Sequence, residues 1–146
     1  MNKNDIEKIN VYKGIIASNN TRIANLNNSI AEIERSYDSL IRFRKSVLTA
    51  QDNVHSITDN QKKYLSSVKS IGKNNNLAKN YGNGMSETLS GFGTKVVGLA
   101  LEGLLLKIDL KLSQYKNSIT SAEGIIKNLK SQSLNYKESM QRLKKK

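Results

Sequence analysis

The 146-residue sequence contains no proline, no cysteine and no tryptophan, and it has a single histidine. Because proline breaks helices more effectively than any other residue, its absence permits long uninterrupted helices. The absence of cysteine excludes disulfides and thiolate metal sites. His55 has no second histidine or cysteine with which to share a metal ion or build a triad. No nucleophile and base have a spacing that supports catalysis, so we expect a protein that is not an enzyme and uses no cofactor.

Apolar residues are also scarce, since hydrophobic residues make up 37% of the chain and aromatic residues 5%. These fractions are low for a globular domain, and a thick core of several layers is therefore not expected. A thin seam, meaning the row of side chains along which two helices pack, needs fewer apolar residues and fits this composition better.

The net charge is +12, from 24 Lys and Arg against 12 Asp and Glu. Such an excess favours acidic partners, which include nucleic acid, anionic lipid and acidic proteins. The charge is spread evenly, because residues 1–73 carry 12 basic and 7 acidic groups and residues 74–146 carry 12 and 5. No recognised nucleic-acid-binding motif is present. Binding to nucleic acid or to an anionic membrane surface therefore stays open as an alternative function.

Apolar residues in the first half recur at steps of three and four, which is the spacing of one face of a helix. Two successive steps of three, from Tyr37 to Leu40 and on to Phe43, predict a shift of phase and a bend or break near residues 40–43. Before the shift the predicted seam comprises Ile9, Tyr12, Ile16, Asn19, Ile23, Leu26, Ile30, Ile33, Tyr37 and Leu40. After the shift it comprises Phe43, Val47, Ala50, Val54, Ile57, Gln61, Tyr64, Val68 and Ile71.

The second half repeats the pattern with two neighbouring stripes. The first comprises Leu89, Phe92, Val96, Leu99, Gly103, Leu106 and Leu110. The second comprises Ile108, Leu112, Tyr115, Ile119, Ala122, Ile126, Leu129, Ser133, Tyr136, Met140 and Leu143. Between the halves, residues 72–76 and 81–84 are rich in glycine and asparagine and predict a reversal of the chain.

These patterns predict an all-α fold, with residues 1–146 forming a single domain. We expect a long antiparallel, coiled-coil-like helical hairpin: a helix over about 5–71, a connector over about 72–84 and a helix over about 85–143. The seams are narrow, so isolated helices would be marginal in water and must pair with each other or with another chain.

Residues 96–106 are apolar on nearly every side of the second helix, with Glu102 as the exception. The segment is too short to span a membrane, which needs about 20 apolar residues. Because a two-helix hairpin covers only one side of a helix, the surplus requires a fold-back of the first helix or another protein. We predict a partner-docking surface comprising Phe92, Val96, Leu99, Leu101, Leu104, Leu105 and Leu106. A membrane-active toxin using this segment is a third alternative.

The bend is expected at Tyr81, Gly82, Asn83 and Gly84, where an aromatic residue precedes two glycines. The N-terminus has alternating charge and no apolar stretch, so we expect no signal peptide. A helical hairpin that turns at an aromatic residue with glycine resembles the WXG-type small proteins of type VII secretion. It is similar in particular to the lysine- and asparagine-rich helical proteins that accompany LXG toxins in Gram-positive bacteria. Tyr81 stands where that family has tryptophan, and Asn83 stands where it has glycine.

The resemblance implies a chaperone-like targeting factor that binds the helical N-terminal domain of a secreted toxin. A second small helical protein would complete the hetero-oligomer, and no small-molecule substrate is implied. The chain would be cytoplasmic and could leave the cell with its partner. Family members that carry an export signal show an aromatic residue followed four places on by an acid. Here Met140 follows Tyr136 and Val96 follows Phe92, so the resemblance implies a stabilising subunit whose partner supplies the signal.

Overall fold

A computed structural model describes residues 2–71, 80–81, 83–85 and 92–145. The side chains at positions 68, 69, 71 and 92–95 are outside the description. Two long helices, α1 (Lys3–Ile71) and α2 (Phe92–Lys144), account for most of these residues, and the described ranges contain no strand. α1 packs against α2, so the predicted all-α helical hairpin is confirmed.

The start of α1 is fixed by a capping interaction at the first residues of the chain. The backbone N–H of Asp5 donates a hydrogen bond of 2.8 Å to Oδ1 of Asn2. This bond satisfies one of the N–H groups that the first turn of a helix leaves without an intrahelical acceptor. The carboxylate of Asp5 lies in the same turn, where the helix dipole favours negative charge.

Serine and threonine are frequent in both helices although they are poor helix formers. Several of their hydroxyls donate to the carbonyl oxygen four residues earlier, as Thr49 does to Lys45 at 3.0 Å and Ser139 to Asn135 at 2.9 Å. Each such hydroxyl has a partner on its own helix and needs none from the facing helix.

α1 runs without interruption from Lys3 to Ile71, so the expected break near residues 40–43 is wrong. The expected shift of phase is wrong as well. We label the seven positions of the helical repeat a to g, with a and d at the seam. Buried and half-buried residues continue past Leu40 in regular steps of four and three. They comprise Arg44, Val47, Gln51, Val54, Thr58 and Leu65, with Gln61 exposed in its slot.

Four described residues that only the shifted phase assigns to the seam are therefore exposed. Phe43 is 49% exposed, Ile57 57% and Tyr64 67%, and Ala50 is exposed too. These four occupy successive g positions, beside the seam. The physical reason lies within unit 2, where the ion pair between Arg44 and Asp109 places the side of α1 that carries Arg44 against α2, and the g positions lie beside that side. Val47 and Val54, which both phases share, face the seam as predicted.

α2 shows the same correction. Its seam is one regular series from Leu101 through Leu105 and Ile108 to Leu143, and every member is buried or half-buried. The second predicted stripe is confirmed as the seam. The first stripe is wrong as a seam, because its large described members Val96, Leu99, Leu106 and Leu110 are exposed, and only Gly103 among its described residues is half-buried. They occupy the b and f positions, on the side of α2 that faces away from the seam. Leu89 and the side chain of Phe92 lie outside the described residues.

The chain divides into two compact units. Unit 1 comprises Met1–Asp38 and Leu112–Lys146, and unit 2 comprises Ser39–Lys111. In each unit a stretch of α1 pairs with a stretch of α2. Most of the expected connector of 72–84 lies outside the described residues. Its described part, at 80–81 and 83–84, has helical backbone, as does Met85. Gly82 and the residues on either side of this short part lie outside the description, so the bend at Tyr81, Gly82, Asn83 and Gly84 stays a prediction. No described glycine has a positive φ, so none of them supplies a left-handed turn.

Candidate partner-binding surface

The seam of unit 1 is apolar with one polar layer. Asn19 is 4% exposed, and its Nδ2 donates to Oε1 of Gln132 at 2.9 Å and to Oγ of Ser133 at 3.1 Å. Ser133 is buried beside it. Because both hydrogens of the amide find an acceptor on α2, the polar layer ties one position of α1 to one position of α2.

Aromatic contacts accompany the seam of unit 1. The rings of Tyr12 and Tyr136 have centroids 4.9 Å apart with an interplanar angle of 34°. The ammonium of Lys116 lies 5.7 Å from the ring centroid of Tyr37, within the range of a cation–π contact. Shallow surface grooves lie between the two helices of unit 1, and one of them is lined by Asn27, Ile30 and Ile126 with the flanking Glu123, Lys127 and Lys130. The grooves are open and offer no convergent set of catalytic groups.

In unit 2 the seam of α1 is half polar, and an arginine occupies its first a position. Nε of Arg44 donates to Oδ1 of Asp109 on α2 at 2.8 Å. The hydrogen bond from this guanidinium, followed by the charge attraction of Asp109, raises the pKa of Arg44 above its ordinary value. The aliphatic stem of arginine can cover seam surface while its head reaches the edge, so the residue fits a slot meant for an apolar side chain.

The outer face of α2 in unit 2 is strongly apolar and has no cover. Leu99 is 67% exposed and Leu106 72%, and Val96, Val97 and Leu110 are exposed beside them. Leu99 follows Val96 by three residues and Leu110 follows Leu106 by four, while Leu99 and Leu106 are seven residues, or two turns, apart. These four side chains therefore lie in one row on one side of the helix. Large apolar side chains gathered in one row are typical of surfaces that bind another protein.

The predicted docking residues fall into two groups. Val96, Leu99 and Leu106 belong to the uncovered outer row. Leu101, Leu104 and Leu105 are half-buried and lie at or beside the seam, where they already contribute to pairing with α1. The side chain of Phe92 lies outside the described residues. Of the predicted bend motif, Tyr81 is exposed, and so are Asn83 and Gly84.

Sequence reasoning missed a second exposed row, formed by Phe43, Ala50, Ile57 and Tyr64 on α1. The sequence contains the information needed to find this row. Continuing the a positions of residues 1–40 at intervals of seven residues places Arg44, Gln51 and Thr58 at the seam and leaves the apolar row beside it. Following apolar residues alone, without keeping the register, led to the wrong assignment. Among the described residues of unit 2, the outer row of α2 and this row of α1 together form the main uncovered apolar surface.

The described residues hold no group of three or more His, Cys, Asp and Glu side chains that could bind a metal ion. Among the same residues, neither helix has a stretch both long enough and apolar enough to cross a membrane. No family model, curated protein or solved structure matches the chain.

Proposed function

We propose that the chain is a non-enzymatic, chaperone-like targeting factor that binds the helical N-terminal domain of an LXG toxin exported by type VII secretion. The observation that carries this proposal is the uncovered apolar row of Val96, Leu99 and Leu106 on the outer face of α2. Burying one such leucine against a partner would contribute about 1.5–3 kcal/mol, so the row alone would contribute substantially to a stable complex.

The helical hairpin supports the same proposal, because a pair of long helices offers a second helical protein an extended surface for side-by-side packing. A second small helical protein would complete the assembly. The partner would supply the export signal, and the chain would be cytoplasmic or leave the cell together with its partner.

Co-expression with the products of neighbouring genes, followed by size-exclusion chromatography, tests the proposal. We expect the chain to co-elute with the N-terminal domain of a toxin. Leu99→Gln with Leu106→Gln should abolish co-elution, since polar side chains would be buried at the interface. The matched control is Leu134→Gln, which alters an exposed leucine of unit 1 and should leave the complex intact. A chain that elutes alone beside every neighbouring product would refute the proposal.

Binding to nucleic acid or to an anionic membrane is a second candidate. It is favoured by residues 112–146, which carry eight Lys or Arg and two acidic residues. Such binding would depend steeply on salt, because it releases counterions from the anionic partner. Retention of DNA or of anionic vesicles at low salt, lost at high salt, would support this candidate. Absence of retention at low salt would remove it.

A further inference from the structure

The two edges of the hairpin differ, and the contacts across the seam identify them. Asn19 at a d position contacts Gln132 at a g position, whereas Arg44 at an a position contacts Asp109 at an e position. Within each unit, the g positions of the two helices therefore share one edge and the e positions share the other, as antiparallel pairing requires. We call the first edge the g edge.

The g edge of unit 2 is a mostly apolar groove. Its described side chains are the exposed Phe43, Ala50, Ile57 and Tyr64 of α1, with the exposed Val97, the half-buried Leu104 and, at the end nearest unit 1 along the chain, the exposed Lys111 of α2. The c positions of α1 beside it are Ser46, Asn53 and Asn60, which carry no charge. A strip that joins exposed apolar side chains to uncharged polar ones has the composition of the centre of a protein interface.

Unit 1 provides an internal contrast. Its g edge is mostly polar, with Ile15 and Ile125 as the apolar exceptions. The polar members are Lys8, Arg22, Ser29 and Ser36 on α1 and Ser118, Gln132 and Ser139 on α2. A hairpin edge that needs no partner is expected to be polar, as this one is. The apolar g edge is therefore a local property of unit 2.

The charges that border the groove have one sign. Arg42 and Lys63 lie on the f row of α1, Lys107 lies on the c row of α2 and Lys111 on its g row, and all four are exposed. Acidic residues in 39–71 and 92–111 occupy other rows: Asp52 and Asp59 lie at b positions of α1, and Glu102 and Asp109 lie on the e edge of α2. An occupant of the groove would therefore meet basic side chains on both flanks.

We propose that the g edge of unit 2 binds one amphipathic α-helix that has an apolar stripe and acidic flanks, supplied by another protein. A helix is the occupant that fits, because a straight groove between two helices accepts a third helix whose side chains enter between theirs. A second copy of this chain is disfavoured, since each copy carries a net charge of +12. The inference deepens the proposed function, since it states the chemistry of one helix that the partner would present.

A synthetic helical peptide of about three heptads, with leucine at a and d and glutamate on the flanking positions, is the probe. Two further peptides are controls: one has lysine in place of each glutamate, and one has the same composition with the leucines scrambled. Fluorescence anisotropy of labelled peptide, titrated with the full chain at low salt, gives the dissociation constants. We expect the acidic peptide to bind at least tenfold more tightly than either control, and we expect salt to weaken its binding.

Phe43→Gln and Ile57→Gln should each weaken binding of the acidic peptide roughly tenfold or more, because each removes an apolar side chain from the groove. Matched controls are Ile41→Gln, at an e position of α1 in unit 2, and Val11→Gln, in unit 1; both residues are exposed and both variants should bind as the unaltered chain does. Lys63→Glu with Lys107→Glu should shift the preference towards the basic peptide. Circular dichroism on each variant checks that the helices are retained.

Equal binding of the acidic and basic peptides, no binding of the acidic peptide, or normal binding by both groove variants would overturn the inference. Self-association that is lost in Ile57→Gln would assign the groove to a second copy instead. If the acidic peptide binds as expected but no toxin domain co-elutes, the proposed function fails and the groove assignment stands. If a toxin complex forms and tolerates both groove variants, the groove assignment fails and the proposed function stands.

Discussion

The polar layer in the seam of unit 1 allows a quantitative test of how the hairpin is held together. Asn19→Ala removes two hydrogen bonds, to Gln132 and Ser133, and leaves the buried hydroxyl of Ser133 without its donor. A protein hydrogen bond contributes about 0.5–1.5 kcal/mol net, so we expect a loss of about 1–3 kcal/mol in the free energy of unfolding. With a urea dependence of about 1–3 kcal/mol per molar, the urea midpoint should fall by roughly 1 M.

A double-mutant cycle then separates the interaction from the effect of packing. Ser133→Ala alone should cost about 1 kcal/mol, since it removes one of the two acceptors. Asn19→Leu combined with Ser133→Ala replaces both partners by apolar groups, and this exchange should be close to neutral or stabilising. The double variant should therefore lose less stability than Asn19→Leu and Ser133→Ala lose in sum, by about 0.5–3 kcal/mol.

Urea unfolding followed by circular dichroism at 222 nm, a wavelength that reports helix, measures all four corners of the cycle. If the two single effects add within about 0.3–0.5 kcal/mol, the residues are not coupled, and the polar layer does not tie the helices as described. The slope of the urea dependence serves as the control, because a change in it would indicate a change in the unfolded state or loss of two-state behaviour.

Two further predictions concern unit 2. Phe43→Gln should change the free energy of unfolding by less than about 0.5 kcal/mol because Phe43 is exposed, whereas Val47→Ala should cost more than about 1 kcal/mol because Val47 is buried. Urea unfolding of both variants checks this register of α1 against α2. Equal losses of stability in the two variants would contradict the register. Arg44→Gln should lower the thermal midpoint slightly at low salt and not at high salt, because its ion pair with Asp109 is exposed. A raised pKa keeps Arg44 charged, so its stabilising contribution is present below the ordinary pKa of arginine and is lost only as pH rises through the raised value. Scanning calorimetry of the unaltered chain at several pH values in the neutral range should therefore show no change in the thermal midpoint from titration of Arg44. A loss of thermal midpoint in Arg44→Gln that does not depend on salt would contradict the assignment of this ion pair.

The sequence predicts the class of fold well because the steps of three and four are sustained over most of the chain. The seam of unit 1 follows from its isoleucine and leucine rows, and even Asn19 and Ser133 are found by keeping the spacing. The absence of proline correctly permits a helix that is continuous over α1.

The seam of unit 2 could not be read from apolar residues alone. Two apolar rows compete on each helix there, and hydrophobicity does not say which one pairs within the hairpin and which one stays exposed. Register decides, and within unit 2 the contact of Arg44 with Asp109 identifies the side of α1 that faces α2. The energetic reason that Arg44 is tolerated, its ion pair with Asp109, depends on a residue far along the chain and is invisible to a local pattern.

The docking surface was predicted from the excess of apolar residues in 96–106, and the structure divides that segment between the seam and the outer face. Sequence can report that a helix has more apolar surface than one neighbour can cover. It cannot assign each side chain to a side until the partner helix and its register are known. For this reason the sequence pattern places Leu104 and Leu105 in the same predicted docking surface as Leu99 and Leu106.

The polar a positions of α1 in unit 2 also affect the motion of the chain. Arg44, Gln51 and Thr58 keep hydrogen-bonding groups that water can satisfy when the helices part, so at the a positions opening this stretch forfeits less apolar burial than opening the isoleucine layers of unit 1. The isoleucine layers of unit 1 have no such compensation. Local opening should therefore be frequent in one stretch of the hairpin and rare in the other, and amide protons would exchange with solvent at correspondingly different rates. An incoming helix would meet a stretch that samples open arrangements on its own, which lowers the barrier to capture.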